Sequence, residues 1–366
     1  MREISLDKNY LTDFILSIEQ DGILISEAAV EKDFHVTDAL VALSGINNDH
    51  FELVFCGGTC LSKGYQIIQR FSEDIDLKVV RRPGVPEISK SATRRELGAL
   101  KDQATQALIS AGFTEAVPMP ANNNSYIGYV LPYASIGAEA STIRSAVKVE
   151  LVNTSLLIAP EPRRLSYLHD SLIGKNKHET SMKCVSPSET LIEKLVSFPR
   201  RLSRHLTNNH EFDQNLVRHL YDVHQIARNH PQYLSDTQKL KSVLMDVIKK
   251  DLDKYKNSDH LFASNSIKTI RDALEYTASS KVISDNYRSF VKDMVYQKPS
   301  EVPSFEESVN IFSKVFNDLS IQNHYGNGEL MKKLKSSGIE ANTDISSILD
   351  LDKKISKVND GELDMK

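Results

Sequence analysis

Residues 55–77 read Phe-Cys-Gly-Gly-Thr-Cys-Leu-Ser-Lys-Gly-Tyr-Gln-Ile-Ile-Gln-Arg-Phe-Ser-Glu-Asp-Ile-Asp-Leu. The turn Gly57-Gly58-Thr59 follows the apolar residues 53–55 and precedes apolar side chains at helical spacing, namely Leu61, Tyr65 and Ile68. This order predicts a strand, a glycine turn and a helix. Unpaired backbone N–H groups gather at a helix N-terminus, and glycine has no Cβ to keep a phosphate away. The turn is therefore a candidate phosphate site.

A second strand is predicted immediately downstream, over residues 71–80. Asp74 and Asp76 are two apart on it, so their carboxylates share a face. Two neighbouring carboxylates are the hard oxygen ligands that magnesium takes beside substrate phosphates. They are candidate metal ligands for Mg²⁺ or Mn²⁺, with an NTP as substrate. The alternative is a pair of solvated aspartates at a strand end.

A third carboxylate comes from the strand predicted over residues 146–152. Its period of two places Lys148 and Glu150 on the face opposite Val147 and Val149. On a mixed sheet, Glu150 would join Asp74 and Asp76 in a metal-binding trio. The alternative is an exposed Lys-x-Glu pair at a sheet edge.

The composition indicates a soluble globular protein. Of 366 residues, 40% are hydrophobic and 26% are charged. No apolar run approaches the ~20 residues of a membrane span, so we expect no membrane association. The three cysteines Cys56, Cys60 and Cys184 cannot all pair within one chain, which favours a reducing cytoplasm and small buried side chains over a zinc site.

The charge pattern leaves nucleic-acid binding to local patches. A formal charge of -4 gives no general attraction to a polyanion. Basic clusters occur at Arg163-Arg164, over residues 175–183, and at Arg200-Arg201. Each is either a face that grips a polynucleotide or an ordinary solvated surface.

The chain divides into four predicted parts. Residues 1–45 form N-terminal helices that pack on the core, 46–180 the catalytic core, 181–320 a helical domain and 321–366 a polar tail that the composition allows to be mobile. Residues 117–124 are rich in Pro and Asn and predict a loop.

Three groups of polar residues have open interpretations. Glu31-Lys32-Asp33, within the second predicted helix, is either functional or an exposed charged turn. Lys194 and Asp222 lie on predicted helices of the third part, where ordinary surface charges are the alternative.

These blocks together resemble the AbiEii/AbiGii-type nucleotidyltransferase toxins. The resemblance spans about residues 28–320 and lies in the following blocks: Glu31-Lys32-Asp33-Phe34, Phe55-Cys56-Gly57-Gly58-Thr59-Cys60-Leu61-Ser62-Lys63, Arg70-Phe71-Ser72-Glu73-Asp74-Ile75-Asp76-Leu77, Lys148-Val149-Glu150, residues 186–195, Tyr221-Asp222 and residues 303–307. The resemblance implies an α+β fold: a polymerase β-like minimal nucleotidyltransferase core, a mixed sheet with flanking helices, plus a C-terminal helical domain.

The resemblance also implies a function. Members are bacterial toxins that act beside a separately encoded antitoxin, often of the AbiEi type, and serve in phage defence. Several add nucleotides to the tRNA 3′ end and so block translation.

By the same resemblance, Gly58 and Thr59 hold the triphosphate, with Gly57 of the same turn a further candidate. Asp74 and Asp76 bind magnesium, Lys194 contacts phosphate, Asp222 is an active-site carboxylate, and Ser72 matches a serine that in some members can be phosphorylated. Lys63 is a further candidate nucleotide contact. Because the gap between Gly-Thr and Asp-x-Asp is long, we expect a long intervening helix.

The predicted reaction is attack of an acceptor hydroxyl on the α-phosphorus of NTP, with Glu150 or Asp222 assisting its deprotonation. Positioning and cation charge supply most of the catalysis in such transfers. The alternatives are a transferase for a small-molecule or protein hydroxyl, a kinase that moves the γ-phosphate, and a non-catalytic nucleotide-binding partner protein.

Overall fold

The computed structural model describes residues 8–19, 25–136, 143–175, 177–208 and 212–320. The predicted tail, 321–366, lies outside the described residues. Two compact units emerge: one joins the chain up to Thr190 with Val291–Val302, and the other joins Leu191–Phe290 with the chain from Pro303. Among the described residues, no helix has the length and apolar character needed to span a membrane.

In its described residues, the first unit contains a seven-stranded mixed sheet and five complete helices. In chain order the strands are β1 (Phe51–Cys56), β2 (Asp74–Arg81), β3 (Met119–Ala121), β4 (Tyr126–Pro132), β5 (Ala146–Asn153), β6 (Glu161–Leu165) and β7 (Thr180–Cys184). The helices are α1 (Lys8–Glu19), α2 (Glu27–Ser44), α3 (Gly57–Lys63), α4 (Lys90–Ser110) and α5 (Leu168–Leu172). The sheet order is β3-β4-β5-β2-β1-β7-β6. The predicted α+β class with a mixed sheet is confirmed.

One face of the sheet packs against α2 and α4. On β2, Ile75, Leu77 and Val79 are buried in this core together with Leu40 of α2 and Leu100 of α4. Because side chains alternate along a strand, Asp74, Asp76 and Lys78 must lie on the opposite face. The hydrophobic pattern of β2 thus fixes the face on which the acidic pair lies.

Two local expectations are wrong. The helix after the glycine turn is short: α3 ends at Lys63, where the N–H of Gly64 bonds to Cys60 O, and Gln66 has a positive φ of 54°. Residues 64–73 instead continue as a loop whose Phe71 N–H donates to Met294 O at 2.7 Å. Within the predicted loop 117–124, residues Met119–Ala121 form β3, an edge strand that tolerates Pro120.

The second unit is helical in its described residues. It contains most of α6 (Pro187–Asn208) and α11 (Lys281–Met294), together with α7 (Arg218–Asn229), α8 (Thr237–Tyr255), α9 (His260–Ser264), α10 (Ser266–Ser279) and α12 (Phe305–Ser320). Phe198 of α6 packs edge-on against Phe312 of α12 with ring centroids 5.5 Å apart. The C-terminal helical region is confirmed.

Candidate active site

The glycine turn joins β1 directly to α3. Cys56 is extended, Gly57 turns the chain with φ 77°, and α3 begins at Gly57. A Cβ at Gly57 would overlap Oδ2 of Asp76 and lie 3.1 Å from its Cγ. Only glycine combines this positive φ with so close an approach. The turn therefore lies directly against the carboxylate of Asp76.

Asp74 and Asp76 are held on one face of β2 by pairing on both sides. In the sheet register Asp76 lies opposite Cys56 of β1 and opposite Glu150 of β5, while Asp74 lies opposite Lys148. Both aspartates are half-buried. Adjacent strands thus bring Asp74, Asp76 and Glu150 to one region of the sheet.

The Thr59 hydroxyl fastens the turn to the start of β2. Thr59 is buried, and its Oγ1 is hydrogen-bonded to Ser72 Oγ at 2.8 Å and to the backbone oxygen of Asp74. Its side chain is therefore committed within the protein. If Thr59 contacts a triphosphate, it does so through its backbone N–H. Its hydroxyl instead positions Asp74.

Lys63 has its ammonium group engaged elsewhere. Lys63 Nζ lies 2.6 Å from Asp33 Oδ1 and donates to Thr37 Oγ1 at 2.7 Å and to Ser166 O at 3.1 Å. An ammonium group has three protons, so these acceptors satisfy it. A direct contact of Lys63 with nucleotide stays a prediction that this geometry does not support.

The Glu31-Lys32-Asp33 motif is buried, so its interpretation as an exposed turn is wrong. Glu31 accepts from Ser135 Oγ and Ile136 N, both at 2.8 Å. Lys32 Nζ forms a 2.7 Å ion pair with Glu73, the residue before β2. The motif anchors the strand start that carries Asp74.

Consecutive side chains on a helix point in directions about 100° apart. Because Glu31, Lys32 and Asp33 are all buried, other parts of the protein must surround most of the circumference of α2 at this point. Periodicity alone cannot indicate this, because it assumes one solvent-facing side. The block Glu31-Lys32-Asp33-Phe34 in the family resemblance was the one sequence signal for it.

Glu150 is held by two neighbours on the same face. Lys148 Nζ lies 2.7 Å from Glu150 Oε1, and the Tyr126 hydroxyl donates to the same oxygen at 2.8 Å. Burial alone would lower the pKa of Lys148, but the carboxylates of Glu150 and Asp74 outweigh it and raise that pKa. Burial, followed by Glu150, raises the pKa of Tyr126.

A metal ion fits the two aspartates better than the predicted trio. In the described part of the chain, no group of three or more His, Cys, Asp or Glu side chains is arranged to hold a metal. Asp74 and Asp76 offer hard oxygen donors on one face of β2, and the absence of a Cβ lets Gly57 lie directly against the Asp76 carboxylate. One oxygen of Glu150 is already engaged by Lys148 and Tyr126. Metal ligation by Glu150 therefore stays a prediction.

Lys194 and Asp222 meet within the second unit. Lys194 Nζ of α6 lies 2.9 Å from Asp222 Oδ2 of α7, and the two side chains are 9% and 0% exposed. Their interpretation as surface charges is wrong. A buried charge pair of this kind is costly to desolvate, and its catalytic role stays a prediction.

The basic patch at Arg200 is not a free surface. Arg200 is buried, its Nε lies 2.8 Å from Asp251 Oδ2, and its guanidinium stacks 3.9 Å from the centroid of the Tyr255 ring. Arg201 pairs with Asp213. The hypothesis that Arg200 grips a polynucleotide is therefore wrong.

The three cysteines Cys56, Cys60 and Cys184 are all buried free thiols, as predicted. Burial, followed by the neighbouring Cys184, raises the pKa of the Cys60 thiol, so it is an unreactive core side chain.

Comparison with protein families gives one match. The profile of the family described as "Nucleotidyl transferase AbiEii toxin, Type IV TA system" matches residues 39–311. No curated protein matches the sequence.

Among solved structures, the chain is similar to MenT4, a nucleotidyltransferase toxin from Mycobacterium tuberculosis H37Rv, with 14% identity, 90% of this chain and 99% of that chain covered, and a TM-score of 0.46. It is also similar to an antigenic nucleotidyltransferase-like protein from Paracoccidioides brasiliensis, with 17% identity, 61% and 91% covered, and a TM-score of 0.32.

The family match spans most of the chain and includes the glycine turn, both aspartates, Glu150, Lys194 and Asp222. The chain belongs to the AbiEii family of nucleotidyltransferase toxins of toxin–antitoxin systems.

Proposed function

We propose that this toxin transfers NMP from NTP to the 3′ end of tRNA in a magnesium-dependent reaction, in the bacterial cytoplasm. The observation that supports it most is the close approach of Gly57 to the Asp76 carboxylate, with Asp74 on the same face of β2. This geometry suits a site in which a polyphosphate and a divalent cation are held side by side.

Each residue of the site has a distinct task in this proposal. Asp74 and Asp76 hold the divalent cation, and the backbone N–H groups of Gly58 and Thr59 bind phosphate oxygens. When bound, the cation would neutralise negative charge on the phosphates. The Thr59 hydroxyl keeps the turn and Asp74 in register through its bonds to Ser72 and to the Asp74 backbone.

The chemical step exchanges one P–O bond for another. The acceptor 3′-hydroxyl oxygen bonds to the α-phosphorus, the bond from that phosphorus to the α,β-bridging oxygen breaks, and pyrophosphate leaves with the electron pair. The hydroxyl proton passes to a base. Glu150 is the candidate within the first unit, because it lies opposite Asp76 in the sheet. Asp222 is the candidate from the second unit, where Lys194 is the predicted phosphate contact.

The family membership supports the proposed antitoxin, and the resemblance to known members suggests the acceptor. A toxin of a toxin–antitoxin system acts beside an antitoxin, and we propose a separately encoded protein of the AbiEi type. We propose tRNA as acceptor because several toxins of this kind modify its 3′ end, and a role in phage defence for the pair.

The test is transfer of radioactive NMP. Purified protein is incubated with each α-labelled NTP, magnesium and total tRNA, and the labelled ends are sequenced. We expect label on tRNA 3′ ends, and none with Asp76→Asn. The matched control is Asp102→Asn on α4, whose carboxylate is 73% exposed and pairs with Lys101; it should keep wild-type transfer.

The same assay separates the other functions. Label from γ-labelled NTP would indicate a kinase, and label on small molecules or protein alone would indicate another acceptor. Nucleotide binding without any labelled product would indicate a non-catalytic partner protein. Each of these results would overturn the tRNA proposal.

A further inference from the structure

A cavity of about 210 Å³ lies in the first unit against α3. Its lining includes Thr59 and Ser72, which fasten the glycine turn, and Tyr296. Sites for drug-sized ligands span about 300–1,000 Å³. This cavity is therefore too small for a whole NTP and large enough for a part of one.

The charges of the lining favour an uncharged part. The lining holds one carboxylate, Asp33, against two cations, Lys63 and Arg70. Asp33 and Lys63 form a 2.6 Å ion pair and neutralise each other. A triphosphate carries several negative charges and would need more cations than this. Apart from Arg70, the lining thus suits a neutral polar group such as a nucleoside.

Arg70 marks the end of the cavity that adjoins the glycine turn. A Cβ at Gly58 would overlap Arg70 Nη2 and lie 3.3 Å from Ser72 Oγ. Arg70 is buried, and its Nη1 donates to Phe71 O at 3.0 Å, which fixes the guanidinium. The Arg70 guanidinium thus lies between the glycine turn and the cavity, on the path of a nucleotide that has its phosphates at the turn.

The other lining groups include Gln66 and Gln69, whose side chains are exposed at the rim. Gln66 has φ 54°, which is strained for a residue with a Cβ. Bonds from Tyr65 N to Cys60 O and from Ile67 N to Leu61 O hold this turn to α3. A side-chain amide both donates and accepts hydrogen bonds, as the edge of a nucleobase does.

We propose that this cavity receives the nucleoside end of the NTP, with the base against Gln66 and Gln69 and the phosphates leaving past Arg70 towards Gly58. The inference rests on the proposed function and adds the place where the base is selected. The glycine turn and the aspartates bind the phosphates, whereas the cavity distinguishes one nucleotide from another.

The experiment compares binding of NTP with binding of tripolyphosphate, both with magnesium. Calorimetry on the full chain gives the Kd of each NTP, and competition gives that of tripolyphosphate. Gln66→Ala and Gln69→Ala should each weaken binding of the preferred NTP about three- to tenfold, as expected for one lost hydrogen bond. Gln106→Ala, an exposed glutamine on α4 away from the cavity, is the matched control.

A second variant fills the cavity rather than removing a contact. Ser171 lines the cavity and is exposed, so Ser171→Trp should fold and occupy its mouth. We expect NTP binding to fall at least tenfold. Ser181→Trp, at an exposed position of β7 outside the lining, should bind as the wild type does.

The outcomes separate the two proposals. Weaker NTP binding with unchanged tripolyphosphate binding supports the cavity as the nucleoside site. If the wild type transfers NMP but Gln66→Ala, Gln69→Ala and Ser171→Trp bind NTP normally, or lose NTP and tripolyphosphate alike, the cavity proposal fails and the proposed function stands. A wild type that neither binds NTP nor transfers NMP overturns the proposed function itself.

Discussion

Gly57 and Asp76 are in contact across the start of α3: a Cβ on Gly57 would overlap the Asp76 carboxylate. The turn and the acidic strand are thus in direct contact, although Gly57 and Asp76 are 19 positions apart in the sequence. The absence of a Cβ at Gly57 is what allows the turn and the carboxylate to lie this close together.

Gly57→Ala should abolish nucleotide transfer. The added methyl group must displace the Asp76 carboxylate, and the left-handed φ costs an L-residue about 1–2 kcal/mol. The measurement is NMP transfer together with the urea midpoint of unfolding. Gly84 is the matched control, because its φ is 79° and an added Cβ meets nothing within 4 Å. Gly84→Ala should lose similar stability and keep full transfer; equal activity of both variants would contradict the role of the contact.

Thr59→Val should lower kcat more than it raises KM for NTP. The substitution keeps the shape and removes the hydroxyl that links Ser72 to the Asp74 backbone, so the carboxylate is displaced while the backbone N–H stays. We expect a loss of about 1–3 kcal/mol of stability from the missing hydrogen bonds. Thr59→Ser retains the hydroxyl and should recover most of kcat. A rise in KM alone would indicate instead that the side chain contacts nucleotide.

The sequence predicts well those features that depend on local pattern. Alternation on β2 and β5 indicates the shared face of Asp74, Asp76 and Glu150, and the glycine turn indicates the start of α3. It predicts poorly what distant contacts decide. The helix after the turn is short because the loop at Arg70 pairs with Val295, more than 200 residues away.

The same reason explains the site residues that were missed or misjudged. The ammonium group of Lys63 is directed by Asp33, and Lys32 reaches Glu73; no spacing within one element encodes either pair. Arg200 is buried against Asp251 and Tyr255 of α8, so a basic residue in a basic run of the sequence does not lie on the surface.

The buried pair Lys194–Asp222 should contribute far more to stability than an exposed pair of the same unit. Lys194→Met and Asp222→Asn each leave one buried charge without its partner, which costs about 3–5 kcal/mol. The double variant should lose less than the two single losses added together. The exposed Lys268–Asp272 pair of α10 is the control, since an i,i+4 surface pair contributes about 0.3–0.5 kcal/mol. Urea unfolding of the four single variants and the two double variants gives both coupling energies; equal values would contradict the burial argument.

Stability should fall as the pH drops below about 6.5, in part because of His169. This side chain is buried among the rings of Tyr10, Phe14 and Phe34. Burial lowers its pKa, although Asp170, whose Oδ1 lies 3.2 Å from His169 Nδ1, acts in the opposite direction. Because the folded pKa lies below the unfolded value of about 6.5, both states are neutral above that pH and the unfolded chain takes up the proton first below it. The stability contributed by His169 is therefore complete above about pH 6.5 and is lost as the pH falls through the folded pKa.

The His169→Phe variant isolates this contribution, since it keeps an aromatic ring and cannot titrate. We expect the thermal midpoint of the wild type to fall more between pH 7.5 and pH 5.5 than that of the variant. His260→Phe serves as control, because its side chain is exposed, and this variant should lose as many degrees as the wild type. If wild type and His169→Phe lose the same number of degrees over this range, His169 does not protonate on unfolding.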